Sequence, residues 1–362
     1  MRKNGLVILL VSLCLVTLFA AASCAQPAPA PGPAPAPAPS PAPAPAYSVT
    51  LSATTIHPEP GTFHAGVMAP WAKMVSDKSG GQIQIDTFPM GTFAALPDTY
   101  DAAVNGLVDI ALTYSGFSPG RFPRGTVMQL PAAPFAVDGP VSSVVLQKLY
   151  EGGYLGNELN DVKVLWLFSN ASPTKIHFAK PVSTIGDLQG KRIRVAGVVP
   201  TKMIEAVKGV PILMPPPDVY PSLEKGVIDA ALFPYEAAVS YKFSEVAKYH
   251  LTEPGNVDYF IVAMNRDKWN SLPGEAKRVM EDLSGQYAAQ FTGEVELKYE
   301  NKAYETLKAA GDEFISFSPA DHQAWRAAAA TVWDWWVGDM QSKGIDGKAI
   351  LAAAEAFTKE YK

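Results

Sequence analysis

Gly116, Ser118 and Gly120 match the G-x-S-x-G pattern that surrounds the nucleophilic serine of many hydrolases. In that arrangement the residue after the serine donates its backbone N–H to the oxyanion, and here that residue is Pro119, which has no N–H. The five histidines stand singly in the sequence, and no zinc-protease helix motif, Walker A loop or dinucleotide fingerprint occurs. We therefore expect no enzymatic activity, no bound metal and no cofactor. A serine esterase that uses Ser118 is the weaker alternative.

Arg194 is the residue best placed for binding chemistry. It lies near the end of a predicted strand, residues 191–195, just before Ala196 and Gly197. A guanidinium can hold a carboxylate with two parallel hydrogen bonds, which makes arginine well suited to recognise organic acids. The spacing alone agrees equally well with Arg192 and Arg194 on a solvated face of a sheet.

A repeated segment indicates which elements would position such a site. Residues 98–112 recur as residues 218–232, with Asp, Tyr, Gly and Asp at the same spacing. Each copy predicts an Asp-capped helix of about two turns, a left-handed glycine at its end and a short buried strand. Open α/β sheets bind ligands beyond the carboxyl ends of such strands, where Tyr114 follows one copy and Tyr235 the other. The repeat therefore predicts two α/β lobes that face each other across a cleft.

The rest of the chain supports this fold class. Residues 47–53 and 82–86 predict strands with a helix at 64–78 between them, which is typical of a parallel βαβ unit. A long helical pattern follows at 273–310, with bends expected at Gly285 and Gly293. We predict a two-lobe periplasmic-binding-protein fold, type II-like, in which each mixed sheet is flanked by helices and a long helix spans both lobes. The near-helical spacing of Trp325, Trp333 and Trp336 indicates packing residues.

The first 46 residues differ from the remainder. Arg2 and Lys3 precede an apolar run at 6–20, which is typical of a secretory signal, and small residues then lead to Cys24. This resembles a bacterial lipobox, although Ala21 stands where leucine is usual. We predict a signal peptide at 1–23 and lipid on Cys24; an ordinary secretory signal is the alternative. Alternating Pro and Ala at 25–46 favour an extended spacer, so we expect residues 24–46 to form a lipid-anchored linker.

Composition excludes other classes of protein. The formal charge is −5 over the whole chain, and without Arg2 and Lys3 it is −7. A nucleic-acid-binding protein needs a basic face, so we expect no nucleic-acid partner. Both cysteines precede the linker's prolines, which excludes disulfides and thiolate zinc sites from residues 47–362.

The chain from residue 47 onward resembles the solute-binding proteins of tripartite ATP-independent periplasmic (TRAP) transporters, of the dicarboxylate-binding type. The segments that carry this resemblance are 187–195, 218–232 and 264–273, and residues 81–85 and 106–110 also fit. The resemblance implies an extracytoplasmic protein that closes on an organic acid and delivers it to the small and large permease subunits. An ABC-type binding protein for a small anion is the alternative. It also implies two α/β lobes joined by hinge strands, here assigned to 47–171 with 260–299 (lobe I) and to 172–259 with 300–362 (lobe II).

The resemblance implies that Arg194 is the anchor of the ligand carboxylate. Two departures narrow the ligand: residues 170–174 lack the second arginine of many members, and Leu232-Phe233 replaces the Glu-Trp of metal-assisted members. We therefore expect a monocarboxylate with an apolar body and no ion. Phe168 is a further candidate for the cleft, and the alternative is that its side chain lies in the hydrophobic core. The predicted ligand-binding residues are Arg194, Tyr235, Glu236, Tyr114, Phe93, Asn170, Phe233 and His57.

Overall fold

A computed structural model describes residues 47–361 of the protein. The predicted signal peptide (1–23) and the whole of the predicted linker (24–46), which begins at Cys24, lie outside the described residues. Among residues 47–361, no helix combines the length and the apolarity that crossing a bilayer requires.

The strands form two separate mixed sheets. In chain order they are β1 (Val49–Thr54), β2 (Ile83–Phe88), β3 (Ile110–Tyr114), β4 (Val162–Ser169), β5 (Lys175–Phe178), β6 (Arg192–Val195), β7 (Val210–Leu213), β8 (Ala230–Phe233), β9 (Tyr249–Leu251), β10 (Tyr259–Asn265) and β11 (Glu313–Ile315). The first sheet has the order β2-β1-β3-β10-β4, and the second has the order β7-β6-β8-β5-β9-β11. In the first sheet β1 is parallel to β2 and β3, while β10 is antiparallel to both of its neighbours. The second sheet repeats this pattern, with β6 between parallel partners and β5 between antiparallel ones.

The same hydrogen bonds hold the repeated segment in each sheet. Asp109 Oδ2 accepts from Ser52 N of β1 at 2.8 Å, and Asp229 Oδ2 accepts from Arg192 N of β6 at 2.9 Å. The helix before each strand ends at a glycine with positive φ, +72° at Gly106, as the repeat predicted. The predicted Asp caps differ: Asp98 makes no side-chain cap, because it lies within a 3₁₀ turn that precedes the helix, and its counterpart in the second copy does the same.

Helices cover the sheets and connect them. They are α1 (Ala69–Lys78), α2 (Thr99–Val104), α3 (Gly139–Glu151), α4 (Val198–Ala206), α5 (Val219–Glu224), α6 (Tyr235–Ser240), α7 (Arg266–Ser271), α8 (Gly274–Asp282), α9 (Gly285–Ala309), α10 (Pro319–Ser342) and α11 (Gly347–Tyr361). A π-helical turn, Thr62–Met68, leads directly into α1. The buried side chains of Trp325 and Trp336 pack in the core from α10, as predicted.

Helix α9 is the predicted long helix, and it contacts both lobes. Trp166 of β4 donates to Thr292 Oγ1, and Glu300 accepts from the backbone N–H of Glu236, at the start of α6, at 2.8 Å. Of the two expected bends, Gly285 has φ +59° and marks the break between α8 and α9. Gly293 lies in uninterrupted helix instead, where the missing side chain lets Gly139 of α3 approach.

Two extended segments join the sheets and define the hinges. Hinge 1 is residues 170–174, between β4 and β5, and hinge 2 is residues 252–258, between β9 and β10. They pair with each other, since Thr174 N donates to Asn256 O at 2.8 Å. The fold is therefore the predicted two-lobe arrangement, with one sheet in each lobe. The exact lobe boundaries remain a prediction, and one observation bears on them: α11 packs on α3 of the first lobe, with Lys148 Nζ 2.8 Å from Glu360 Oε2.

Candidate functional site

A cavity lies between the two lobes, beyond the carboxyl ends of β1, β3, β6 and β8. The space between its walls that is free of protein atoms is about 600 Å³, a volume that includes space open to solvent. Its walls come from both lobes and from both hinges. A ligand there would therefore contact the two lobes, which move relative to each other when a two-lobe protein closes, and the hinges between them.

Arg194 contributes a cation to this cavity. Its residue is only 4 % exposed, and its Nε and Nη1 donate to the backbone carbonyls of Met214 (2.9 Å) and Leu232 (3.2 Å). The guanidinium carbon lies 3.7 Å from the centre of the Phe233 ring, in cation–π contact. Within residues 47–361, no carboxylate lies within 4.0 Å of Arg194, and its Nη2 makes no hydrogen bond.

The environment of Arg194 is unfavourable to its charge. Burial lowers the pKa of Arg194 to about 10, with the nearby Tyr114, Asp258 and Tyr241 opposing the shift. The side chain therefore stays protonated at neutral pH. Arg192, two residues earlier and so on the same face of β6, instead forms a salt bridge with Asp229 at 3.0 Å. The two arginines differ in their position along the strand: Arg192 lies at its start, partly exposed and paired, whereas Arg194 lies near its carboxyl end, buried at the cavity with no ionic partner among the described residues.

Aromatic side chains form most of the apolar wall. Phe233 and Phe260 face the cavity from β8 and β10, and Phe63 reaches it from the π-helical turn. Phe63 packs edge-on against Phe260, with ring centroids 4.8 Å apart, and it stacks on His57 at 4.0 Å. Burial lowers the pKa of His57, so its imidazole is neutral at neutral pH. Phe168 packs behind this wall as core.

Carboxyl groups line the opposite part of the cavity. Glu236 Oε1 accepts from Thr62 Oγ1 of the other lobe at 2.5 Å and from Ser240 Oγ at 2.6 Å. Glu296 reaches the cavity from α9, and its Oε1 is buried without a hydrogen-bond partner among the described residues. Burial raises the pKa of Glu296 well above its ordinary value, and the neighbouring Glu236 and Glu300 add to the shift. Burial therefore favours the protonated form of Glu296.

Asp258 in hinge 2 is a cavity residue that the sequence analysis missed. Its Oδ1 lies 2.9 Å from both Tyr114 Oη and Asn256 Nδ2, and its backbone N–H donates to Asn170 Oδ1 of hinge 1. Burial raises the pKa of Asp258 to about 6, against the opposing effect of Tyr114, Arg194 and Asn256. The only signal in the sequence is an acidic residue directly before the buried strand β10.

Two tyrosines reach across the cleft to backbone carbonyls that occupy equivalent positions in the opposite lobes. Tyr114 Oη of lobe I lies 2.8 Å from Ala196 O, and Tyr241 Oη of lobe II donates to Ile56 O at 3.1 Å. Ile56 and Ala196 each stand four residues after the position whose N–H binds the repeat aspartate. Together with the Thr62–Glu236 bond, these contacts hold the lobes in a closed arrangement.

The structure brings six of the eight predicted ligand-binding residues to one cavity and places two elsewhere. The six are Arg194, Glu236, Tyr114, Asn170, Phe233 and His57. Tyr235 points away from the cavity into a buried cluster, where its ring centroid is 5.6 Å from those of Tyr304 and Phe314, because α6 begins at this residue and turns its side chain outward. Phe93 packs against Phe88 beside β2 and does not line the cavity.

The histidines and Ser118 form no catalytic arrangement in the described residues. No histidine makes a hydrogen bond to Ser118, which lies in the turn after β3. His177 and His250, distant in sequence, are brought together instead: their Nδ1 atoms are 2.8 Å apart, and His250 Nε2 is 3.0 Å from Asp312 Oδ2. Within residues 47–361, no group of three or more His, Cys, Asp or Glu is arranged to hold a metal ion.

Two curated bacterial proteins are similar to the chain over most of its length. It is 25 % identical over 290 residues to the outer membrane transporter protein TsaT of Comamonas testosteroni, covering 79 % of this chain and 84 % of that one. It is 25 % identical over 290 residues to the C4-dicarboxylate-binding periplasmic protein DctP of Shewanella loihica, covering 78 % and 82 % respectively.

Solved structures give closer matches. A TRAP solute-binding protein from a marine metagenome, described as specific for aromatic acid ligands and bound to meta-hydroxyphenylacetate, is 30 % identical with a TM-score of 0.82, over 87 % of this chain and all of that one. One from Rhodoferax ferrireducens with copurified benzoate is 28 % identical with a TM-score of 0.81, over 86 % and 98 %. One from Bordetella bronchiseptica with bound mandelate is 26 % identical with a TM-score of 0.79, over 86 % and 99 %.

The family resemblance inferred from the sequence is thereby confirmed. Residues 53–339 match the family described as bacterial extracellular solute-binding protein, family 7. Because this match covers well over half of the chain, and the structural neighbours named above are TRAP solute-binding proteins, the protein belongs to the DctP family of extracytoplasmic TRAP solute-binding proteins.

Proposed function

We propose that this protein binds an aromatic monocarboxylate in the interlobe cavity and delivers it to a TRAP permease. The observation that carries the proposal is Arg194: a buried guanidinium in cation–π contact with Phe233, with no carboxylate within 4.0 Å among the described residues. An unpaired buried charge is costly, and the carboxylate of a ligand compensates it. The free Nη2 together with Nη1 offers the ligand a planar pair of donors.

The rest of the cavity supports an aromatic ligand with one negative charge. Phe63, Phe233 and Phe260 provide ring faces and edges at distances suited to a small aromatic body. Hinge 1 has no arginine at 170–174, and the cavity holds the carboxyl groups of Glu236, Asp258 and Glu296, which disfavour a second ligand carboxylate. The ligands named for the relatives above, benzoate, mandelate and hydroxyphenylacetate, are all of this class.

Binding to the purified protein tests the ligand class. We expect benzoate, 3-hydroxybenzoate and mandelate to raise the melting temperature and to bind by calorimetry, and succinate and galacturonate to do neither. Mass spectrometry of the protein as purified checks for a ligand carried over from the cell. A dicarboxylate recovered from the cavity, or a stronger shift with succinate than with benzoate, contradicts the proposal.

The same proposal includes attachment to the membrane. Cleavage before Cys24 and lipidation of its thiol would fix one end of the Pro/Ala linker, and residues 24–46 would then tether the binding lobes near the two permease subunits. In cells expressing the full chain, we expect radiolabelled palmitate to be incorporated and the protein to fractionate with membranes. Cys24→Ser removes both properties, and a Ser23→Ala control retains them. Labelling of Cys24→Ser at the wild-type level contradicts lipidation at this residue.

A further inference from the structure

The three polar contacts of Tyr114 Oη need one more proton than is available when Asp258 is ionised. Tyr114 Oη has three close neighbours: Gln129 Nε2 at 2.9 Å, Ala196 O at 2.8 Å and Asp258 Oδ1 at 2.9 Å. Gln129 Nε2 donates to the hydroxyl oxygen. The tyrosine has a single proton for the other two neighbours, and both are acceptors when Asp258 is ionised.

Protonation of Asp258 satisfies all three contacts at once. Asp258 Oδ1 then donates to Tyr114 Oη, and the tyrosine donates its own proton to Ala196 O of the other lobe. With Asp258 ionised, one of two oxygen pairs at 2.8–2.9 Å has no proton between its members, which is repulsive. The contact between Tyr114 and Ala196 exists only when the lobes are closed, so closure and the proton on Asp258 favour each other.

Asp258 also belongs to the hinges. Asn256 Nδ2 donates to its carboxyl, and Asn256 N and Oδ1 both bond to Thr174 Oγ1 of hinge 1. The backbone N–H of Asp258 donates to Asn170. The proton on this carboxyl is therefore linked to the segments that move during closure as well as to the cross-lobe contact.

We propose that Asp258 is a selectivity residue that becomes protonated when the protein closes on an anionic ligand, so that binding takes up about one proton. This inference rests on the proposed function, because the ligand's charge is part of it. A monocarboxylate entering beside Arg194 neutralises the one cation near Asp258 and adds a negative charge to the cavity. Both effects favour the neutral acid.

The other groups that face the cavity leave Asp258 as the group that changes. Arg194 stays charged because its pKa, although lowered by burial to about 10, remains above pH 8, and burial lowers the pKa of His57 and so favours its neutral imidazole. Burial raises the pKa of Glu296 and so favours its protonated form, and Tyr114 and Tyr241 keep their phenol protons because burial raises their pKa. Glu236 accepts hydrogen bonds from the hydroxyls of Thr62 and Ser240 and makes none to Asp258. Burial raises the pKa of Asp258 to about 6, which lies inside the pH range of 5.5–8 over which binding is to be measured.

The consequence is that affinity for a carboxylate rises as pH falls. Uptake of one proton changes the affinity by up to about tenfold per pH unit between the pKa values of the free and bound forms. A dianionic ligand would need a second compensating proton or cation, so the same carboxyl disfavours dicarboxylates.

Calorimetry of benzoate binding at pH 7 in two buffers of different ionisation enthalpy measures the protons taken up. We expect about half to one proton per benzoate for the wild type, none for Asp258→Asn, and the wild-type value for the control Glu275→Gln, at an exposed position of α8 away from the cavity. Tyr114→Phe, which removes the acceptor of the Asp258 proton, is expected to reduce uptake and serves if Asp258→Asn does not fold. Benzoate binding by the wild type without proton uptake, or undiminished uptake by both Asp258→Asn and Tyr114→Phe, overturns this inference and leaves the proposed function intact. If neither benzoate nor 3-hydroxybenzoate nor mandelate binds at pH 5.5–8, the proposed function is overturned as well.

Discussion

Tyr114 and Tyr241 make reciprocal contacts across the cleft. The Tyr114 hydroxyl reaches a backbone carbonyl just after β6 of lobe II, and the Tyr241 hydroxyl reaches one just after β1 of lobe I. Tyr114 Oη lies 2.8 Å from Ala196 O, and Tyr241 Oη lies 3.1 Å from Ile56 O. Ile56 and Ala196 occupy equivalent positions in the two lobes. The two tyrosine hydrogen bonds, here called the clasp, therefore join the lobes at two related points. Neither bond requires a ligand, so both contribute to the closed state itself.

Removing the Tyr241 hydroxyl should therefore weaken binding while its ring stays in the cavity wall. A hydrogen bond of this kind contributes about 0.5–1.5 kcal/mol, so Tyr241→Phe is expected to lower the affinity for benzoate roughly 2- to 10-fold by calorimetry. Small-angle scattering of the ligand-free protein should show a larger radius of gyration than for wild type. Tyr154→Phe, whose ring packs on Phe357 away from the cleft, is the matched control. Unchanged affinity and unchanged size in Tyr241→Phe would rule out the clasp.

Arg194 and Arg192 provide an internal comparison on one strand. Arg194→Ala is expected to weaken benzoate binding by about 2–5 kcal/mol, roughly 30-fold to several thousand-fold, since the ligand carboxylate then loses its paired donor. Arg194→Lys keeps the charge but not the planar fork, so part of the loss should remain. Arg192→Lys, which changes only the exposed pair with Asp229, should bind as wild type does. Equal affinities of the Arg194→Ala and wild-type proteins, measured by calorimetry, would remove Arg194 from the site.

The close approach of α3 and α9 depends on two glycines. A Cβ on Gly293 would lie 2.5 Å from Gly139 C and O, and the backbone cannot yield without separating the helices. Gly293→Ala is therefore expected to destabilise the protein by about 1–3 kcal/mol in urea unfolding. Gly338→Ala in α10 meets no atom within 4 Å and should be neutral or stabilising by up to about 1 kcal/mol. Similar effects of the two substitutions would show that α3 and α9 do not constrain each other in this way.

The repeat carried most of what sequence could predict. Local patterns place the strand–helix–glycine–strand order and put Arg194 near the carboxyl end of β6, but alternation gives Arg192 and Arg194 the same face of that strand and so does not distinguish them. The direction of Tyr235 was not predictable, because it depends on where α6 begins after β8 and hence on a single residue of register. Asp258 was missed for a different reason: its role arises from hinge 2 meeting hinge 1, Tyr114 and Arg194, and those contacts join residues 64 to 144 positions apart. The His177–His250 pair is of the same kind.

Glu158 should make the stability of the protein depend on pH. Its Oε1 accepts from Arg124 N at 2.7 Å, while its Oε2 is buried without a hydrogen-bond partner among the described residues. Burial, only partly offset by Arg124, raises the pKa of Glu158 to about 7 from its ordinary value of 4.5. The folded protein therefore binds this proton more tightly than the unfolded chain does. This contribution to stability is greatest below pH 4.5 and is lost as pH rises through 7.

Glu158→Gln keeps the acceptor for Arg124 N and removes the titration. Relative to wild type, this variant is expected to gain stability as pH rises from 4.5 to 8, by on the order of 3 kcal/mol in total. Urea unfolding at pH 5 and pH 8 measures the gain as a difference between the two proteins at each pH. Glu275→Gln, at an exposed position of α8, should show no such pH dependence and serves as the control. A constant difference between Glu158→Gln and wild type at the two pH values would show that this carboxyl ionises as readily in the folded protein as in water.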